Sequence, residues 1–137
     1  MIPLLGYAED IPTDIDDEEV YDKVTNWIDE CQKLHSRCPQ GPSLPPRRLL
    51  DIDSSKHEAG VLRLVDDLRE LVKYVAISHC WGTGQHFTTT RENLQERKAG
   101  IKYDDLPQTF QDAVIVTKEL GLRYLWIDSL CIIQDDM

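Results

Sequence analysis

The sequence of 137 residues predicts an α/β domain with a parallel-core sheet and flanking helices. Apolar strand-like runs alternate with helix-like runs, and the joints between them are short. A strand, a strong helix and a second strand also follow one another between residues 72 and 127, and such a unit pairs its strands in parallel. Hydrophobic residues make up 41% of the chain, which is enough for the core of one domain.

The first predicted element is an N-terminal helix over residues 17–38, preceded by an acidic segment, residues 1–16. Apolar residues recur in the helix at three- and four-residue steps and form one stripe: Val20, Val24, Trp27, Ile28, Cys31, Leu34 and Cys38. Residues 9–30 carry ten acids against one base, Lys23. Such a surface repels phosphate backbones, so we expect no nucleic-acid partner here, but a solvated face or a docking surface for a basic partner.

A Pro-rich loop over residues 38–47 leads into an α/β core over residues 48–137. Periodicity and turn residues predict the elements of this core: strands at 48–53, 60–66, 72–80 and 123–127, and helices at 88–100 and 107–120. Pro107 suits the first position of the second of these helices, and Gly121 suits its end. We expect four residues of the two parallel strands to be buried together: Val75, Tyr124, Trp126 and Ile127.

Two of the predicted strands end in polar residues. In "YVAISHCWGTG" the apolar strand ends at Ile77, and side chains that can bind ligands or take part in catalysis follow it. "YLWIDSLC" shows the same change after Ile127. Ligands of α/β sheets bind beyond the carboxyl ends of the strands, so we expect a cleft there. The candidate ligand-binding residues are Ser78, Trp81, Gly82, Asp128 and Gln134. In the alternative interpretation, Asp128 and Gln134 only hold their own loop.

Catalytic residues are less well indicated, and Asp128 and Cys131 are the candidates. His79 and the adjacent Cys80 point to opposite faces of a strand and cannot pair. His79 and Cys131, at neighbouring strand ends, are close enough in the predicted sheet to form a base and thiolate pair. A buried thiol that acts only as a small apolar group is the alternative.

The four cysteines are dispersed and indicate no disulfide framework. Cys31, His35 and Cys38 share one helix face and offer three zinc ligands. They also lie on the apolar stripe, and the chain contains no C-x-x-C pair. We therefore expect them to pack in a core and to bind no metal.

Targeting signals are not indicated. No apolar run is long enough to span a membrane, and the N-terminus lacks the basic start and long apolar stretch of a secretory signal. We therefore expect a cytoplasmic protein.

Three blocks, "WIDECQKLHSRC…LPPRRLLDID", "YVAISHCWG" and "LPQTFQDAVIVTKELGLRYLWIDSLCIIQDD", together resemble the fungal heterokaryon-incompatibility (HET) domain family. The resemblance runs from about Trp27 to Asp136 and defines a HET-type domain over residues 17–137. The chain departs from the family pattern at His79, where tyrosine is usual. The family also continues past "QDD" with a third block, so we expect a domain that is incomplete at its C-terminus.

The resemblance implies a function and a fold. Such domains act as effectors or signalling modules in non-self recognition between fungal individuals and trigger programmed cell death, in a way that is similar to innate immunity. The family is similar to the Toll/interleukin-receptor-like fold, whose members assemble and in some cases cleave NAD. The resemblance therefore implies protein partners or self-assembly, and NAD as a candidate substrate. The alternatives are a hydrolase that uses Cys131 or a carboxylate, and a non-catalytic protein-interaction module.

Overall fold

The computed structural model describes residues 18–38, 41–53, 58–84 and 86–136, so the acidic segment predicted at residues 1–16 lies outside the described residues. The chain divides into two compact units, residues 1–40 and 41–137. The first unit contains helix α1, Glu18–Leu34, with Glu18 and Glu19 in its first turn, where acidic side chains favour the helix dipole. The helix ends four residues before the predicted end, and a turn follows.

The second unit is a five-stranded sheet with flanking helices, which confirms the predicted α/β class. Its strands are β1 Arg48–Asp51, β2 Val61–Asp66, β3 Tyr74–Ile77, β4 Ile101–Lys102 and β5 Tyr124–Ile127. Its helices are α2 Leu94–Ala99, α3 Gln108–Glu119 and α4 Asp128–Cys131. Each predicted core element has a counterpart, while β4 and α4 were not predicted because two to four residues carry no readable period.

The sheet is mixed, with the strand order β3-β5-β1-β2-β4. β3 and β5 pair in parallel, as the strand–helix–strand pattern predicts. The other three pairs, β5 with β1, β1 with β2 and β2 with β4, are antiparallel, so the sheet is not parallel throughout. β1 and β2 are joined by the short connection 52–60, which has no room for the crossover that parallel strands need.

Side chains alternate between the two faces of the sheet, as the period of a strand requires. On the larger face, Leu50, Leu125 and Ile127 pack against Phe110 and Val114 of α3. A smaller cluster on the opposite face consists of Leu49, Val72 and Tyr124. The expectation of joint burial is wrong: Tyr124 and Ile127 are buried but belong to different clusters on opposite faces of the sheet, and Val75 and Trp126 are half-buried.

A helix-terminating glycine and an ion pair hold the end of α3 and the start of β5. Gly121 has a φ of 68°, and the N–H of Leu122 donates to the carbonyl of Thr117 at 3.0 Å, which closes the helix as predicted. The Arg123 guanidinium donates from Nε to Asp51 Oδ1 at 2.8 Å and thereby connects β5 to β1. The buried Asp51 carboxylate raises the pKa of Arg123 above its usual range.

Within the described residues, no helix combines the length and the apolar character that crossing a bilayer requires.

Candidate functional site

The candidate site lies where β3 and β5 end side by side. Ile77 pairs with Ile127 in the parallel register, so the polar segments that follow the two strands begin level with one another. The segment after β3 carries His79 and Trp81, and the segment after β5 begins with Asp128, the first residue of α4. The start of α3 forms the third side of the cleft through Phe110.

Asp128 joins the two strand ends. Its Oδ2 accepts a hydrogen bond from Trp81 Nε1 at 3.0 Å, and its Oδ1 accepts one from the backbone N–H of Ser129 at 2.7 Å. His79 Nδ1 lies 3.7 Å from the same Oδ1, which is within ion-pair range but too long for a hydrogen bond. The His79 side chain is 15% exposed and lines the cavity, whereas the Asp128 side chain is 37% exposed and is not among the residues that line it.

Aromatic rings form the walls of this cleft. His79 contacts Phe110 edge-on with 5.0 Å between ring centroids, and it is stacked on Trp81 at 6.5 Å. His86 lies 5.3 Å from Trp81 on the outer side. Together with Ser129, these rings enclose a cavity of about 170 Å³. The Ser129 hydroxyl is buried and has no hydrogen-bond partner within the described residues, so it can bond to a ligand in the cavity.

A second cavity of about 550 Å³ adjoins the first and shares His86, Phe87 and Pro107 with it. Arg97 lines this cavity, with its guanidinium 4.0 Å from the centre of the Phe87 ring. Burial lowers the pKa of Arg97, and its Nε is buried without a hydrogen-bond partner in the described part of the chain. The half-buried guanidinium has one donor, Nε, that can bind an anionic group, while Asp105 supplies a carboxylate to the lining of the same cavity.

The structure brings two of the predicted ligand-binding residues, Trp81 and Asp128, into direct contact. Gly82 follows with a φ of 73° and forms the turn after Trp81. The Gln134 side chain donates to the carbonyls of Asp128 and Ile132, at 3.1 and 2.9 Å, which is the loop-holding role of the alternative interpretation. Ser78 is exposed and does not line the cavity. Ligand binding by these residues stays a prediction.

Cys131, the other catalytic candidate, faces away from solvent. Its thiol is buried against β5, where the N–H of Ile127 donates to Sγ at 3.5 Å. Burial raises the pKa of the Cys131 thiol to about 11. The thiolate is the reactive form of cysteine, so this environment disfavours Cys131 as a nucleophile or as the thiolate partner of His79.

Sequence reasoning gave too little weight to three residues of the cleft. His79 was considered only as a partner of Cys80 or Cys131, yet it lies between Asp128 and Phe110. Phe110 was not singled out within the helix predicted at 107–120. Ser129 was not singled out, although its position directly after Asp128 at a strand end was the signal that could have identified it.

Comparisons with known proteins identify the part of the chain that carries this site. The model of the family described as "Heterokaryon incompatibility protein (HET)" matches residues 74–137, which include β3, β5 and every residue of the cleft described above. No curated protein and no solved structure matches the chain, so the Toll/interleukin-receptor-like resemblance stays a prediction. The resemblance to the heterokaryon-incompatibility family is confirmed over residues 74–137.

Proposed function

We propose that this chain is an effector or signalling module of fungal non-self recognition and programmed cell death, and that its cleft binds a nucleotide such as NAD. One observation carries the proposal. The indole of Trp81 and the imidazole of His79 converge on the Asp128 carboxylate, at the point where the two parallel strands of the family segment end. The aromatic rings that line this concave site suit a planar ring, and the buried Ser129 hydroxyl suits a hydroxyl group of the same ligand.

The sizes of the two cavities support a nucleotide. Small-molecule sites usually measure about 300–1,000 Å³. The cavity at Trp81 is smaller than this, at about 170 Å³, and accommodates a single ring system. The adjoining cavity of about 550 Å³ offers the Arg97 guanidinium for the phosphates. A nucleotide that extends across the shared wall at Phe87 would use both cavities.

The position of Asp128 also suits chemistry on such a ligand. Cleavage of a glycosidic bond, such as the bond between nicotinamide and ribose, builds positive charge on the sugar in the transition state. A carboxylate next to the sugar stabilises that charge. The hydrogen bonds from Trp81 and from the Ser129 N–H hold the Asp128 carboxylate in one orientation, so it needs no reorganisation during the reaction.

The test of this proposal uses the purified chain and NAD. Binding is measured by calorimetry, and the products are followed over time by chromatography. Removing a charge-assisted hydrogen bond costs about 1.5–3 kcal/mol, so we expect Arg97→Met to weaken NAD binding about tenfold or more. Arg69→Met removes the same charge from an exposed loop position and is the matched control, which should bind NAD as the unmodified chain does.

The outcome for Asp128 separates binding from cleavage. If the cleft cleaves NAD, Asp128→Ala should abolish turnover while NAD binding persists. A folded chain that binds no NAD at millimolar concentration, or an Arg97→Met variant that binds as well as Arg69→Met, would refute the nucleotide site.

A protein-interaction module is the second candidate, and the position of β3 favours it. Among the described strands, β3 pairs with β5 alone, so its outer edge offers backbone groups to another chain. Ala76 is exposed on this strand and leaves the edge without a bulky or charged side chain. If the chain assembles through this edge, Ala76→Lys should lower the mass measured by light scattering, whereas Arg97→Met should not.

A further inference from the structure

A cluster of three metal-binding side chains lies at the end of α1, in the first unit of the chain. The ligand atoms of Cys31, His35 and Cys38 all lie within 4.8 Å of one another, and the two Sγ atoms are 3.1 Å apart. Neither cysteine is part of a disulfide.

The backbone holds the three residues in this arrangement. Cys31 and His35 are four residues apart, so they share a helix face, and the N–H of His35 donates to the carbonyl of Cys31 at 3.1 Å. The chain then turns, and the N–H of Cys38 donates to the carbonyl of His35 at 3.0 Å. The turn returns Cys38 to the face that carries the other two side chains.

The expectation that these residues pack in a core has lost its basis. It depended on the apolar stripe of the N-terminal helix being buried. In the structure no residue of α1 is buried, and Trp27 and Leu34 are 66% and 74% exposed. Cys31 and Cys38 are half-buried and His35 is exposed, so a small ion can reach all three.

The chemistry of the cluster selects a soft divalent ion. Two thiolates and one imidazole form a ligand set that zinc prefers, and the spacing places all three on one side of the ion. A tetrahedral site with zinc–sulfur bonds of about 2.3 Å separates its sulfurs by about 3.8 Å. The present sulfur–sulfur distance of 3.1 Å therefore needs to widen by less than a bond length, which side-chain rotation supplies.

Charge also favours a cation at this position. A bound divalent ion would replace the repulsion between two thiolates by attraction to both. The sequence of α1 adds five acidic residues against two lysines, which makes the surroundings of the cluster negative.

We propose that Cys31, His35 and Cys38 bind a zinc ion as two thiolates and a neutral imidazole, with the fourth position open to water. The ion would be neutralised by its ligands, and binding would release the two thiol protons. Because α1 buries none of its side chains, the ion would supply the end of this helix with the stabilisation that a core does not.

The test uses the full chain, purified with a reductant and without chelator. We expect about one zinc ion per chain by mass spectrometry of the metal content. The metal-free chain should then take up about one Co²⁺ with the absorption of a thiolate-to-cobalt charge transfer. Cys31→Ser, Cys38→Ser and His35→Asn should each weaken cobalt binding about 100-fold or more. Cys80→Ser, which changes an exposed cysteine elsewhere, is the matched control and should bind like the unmodified chain.

Two results would overturn the zinc site. One is a folded chain that takes up no cobalt when fully reduced, and a chain isolated with a disulfide between Cys31 and Cys38 is reduced before this measurement. The other is a Cys31→Ser variant that binds cobalt as tightly as Cys80→Ser. If the ligand variants do not fold, proton release on adding zinc to the unmodified chain decides: release of about two protons per ion supports the site, and no release refutes it.

Discussion

The hydrogen bond between Trp81 and Asp128 is the contact that joins the two strand ends, and a double-mutant cycle can measure its strength. Trp81→Phe removes the indole N–H and keeps an aromatic ring at that position. Asp128→Ala removes the carboxylate without placing a new donor opposite the indole, which the amide of asparagine could do. The effects of Asp128→Ala on Ser129 and His79 occur with and without the indole, so they cancel in the cycle.

The expected coupling follows from the geometry. A hydrogen bond to a charged group contributes about 1.5–3 kcal/mol, and the 3.0 Å distance is that of a normal bond. The Asp128 side chain is 37% exposed, so water competes for the carboxylate and reduces the gain. We therefore expect a coupling free energy of about 1–1.5 kcal/mol.

The assay is urea denaturation followed by far-ultraviolet circular dichroism, because Trp81→Phe also changes the fluorescence. The control cycle combines Trp81→Phe with Asp112→Ala, since Asp112 is an exposed aspartate of α3 that accepts from Gln108. The two changes of the control should be additive. A coupling below about 0.5 kcal/mol between Trp81 and Asp128 would be indistinguishable from additivity and would refute the contact.

Three further predictions concern contacts and turns that stabilise the second unit. Arg123→Met leaves the Asp51 carboxylate, 3% exposed, without its guanidinium partner, and should lower the free energy of unfolding by about 3 kcal/mol in urea denaturation. Gly121→Ala places a side chain at a φ of 68° and should cost about 1 kcal/mol, measured by thermal unfolding. Asp66 accepts a hydrogen bond from Lys98, which lowers its pKa below the unfolded value of about 3.9. Its contribution, below about 1 kcal/mol, is therefore present at neutral pH and is lost as the pH falls through the lowered pKa, so the difference between the unmodified chain and Asp66→Asn should shrink below about pH 4.

Each of these predictions has a result that would contradict it. A loss below about 1 kcal/mol for Arg123→Met would mean that water replaces the guanidinium at Asp51. An unchanged melting temperature for Gly121→Ala would mean that the turn adopts another conformation. A difference between Asp66→Asn and the unmodified chain that stays constant from pH 7 to about pH 3 would exclude the Lys98 contact as its cause.

The part of the fold that could be predicted from sequence is the part with a local signal. The apolar run of residues 124–127 and the strand–helix–strand order around α3 predicted the β3–β5 pair. The antiparallel pairing of β1 with β5 could not be predicted, because the sequence of neither strand indicates which other strand it pairs with. Their connection through Asp51 and Arg123 spans 72 residues and exists only in the folded chain.

The candidate site shows the same division. Trp81 and Asp128 could be predicted as neighbours, since both follow strands that end at one edge of the sheet. Phe110 could not be distinguished from the other apolar residues of α3, because periodicity shows which face of a helix is buried and not which end of that face reaches a cavity. The ligand cluster at the end of α1 was visible as spacing, but its exposure depends on what covers the helix, which no local pattern reports.

The place of β5 in the sheet has a consequence for biosynthesis. β5 is the last of the five strands to leave the ribosome, yet it lies between β3 and β1. Before residues 124–127 emerge, β1 can already pair with β2. At that stage β3 lacks its partner among the described strands. The apolar side chains of α3 also lack the strand on which they pack. Such long-range closure is slow, and the open edges are exposed to aggregation until it occurs. The cleft therefore forms only after residues 124–127 have left the ribosome, because β3 and β5 supply its two adjacent strand ends.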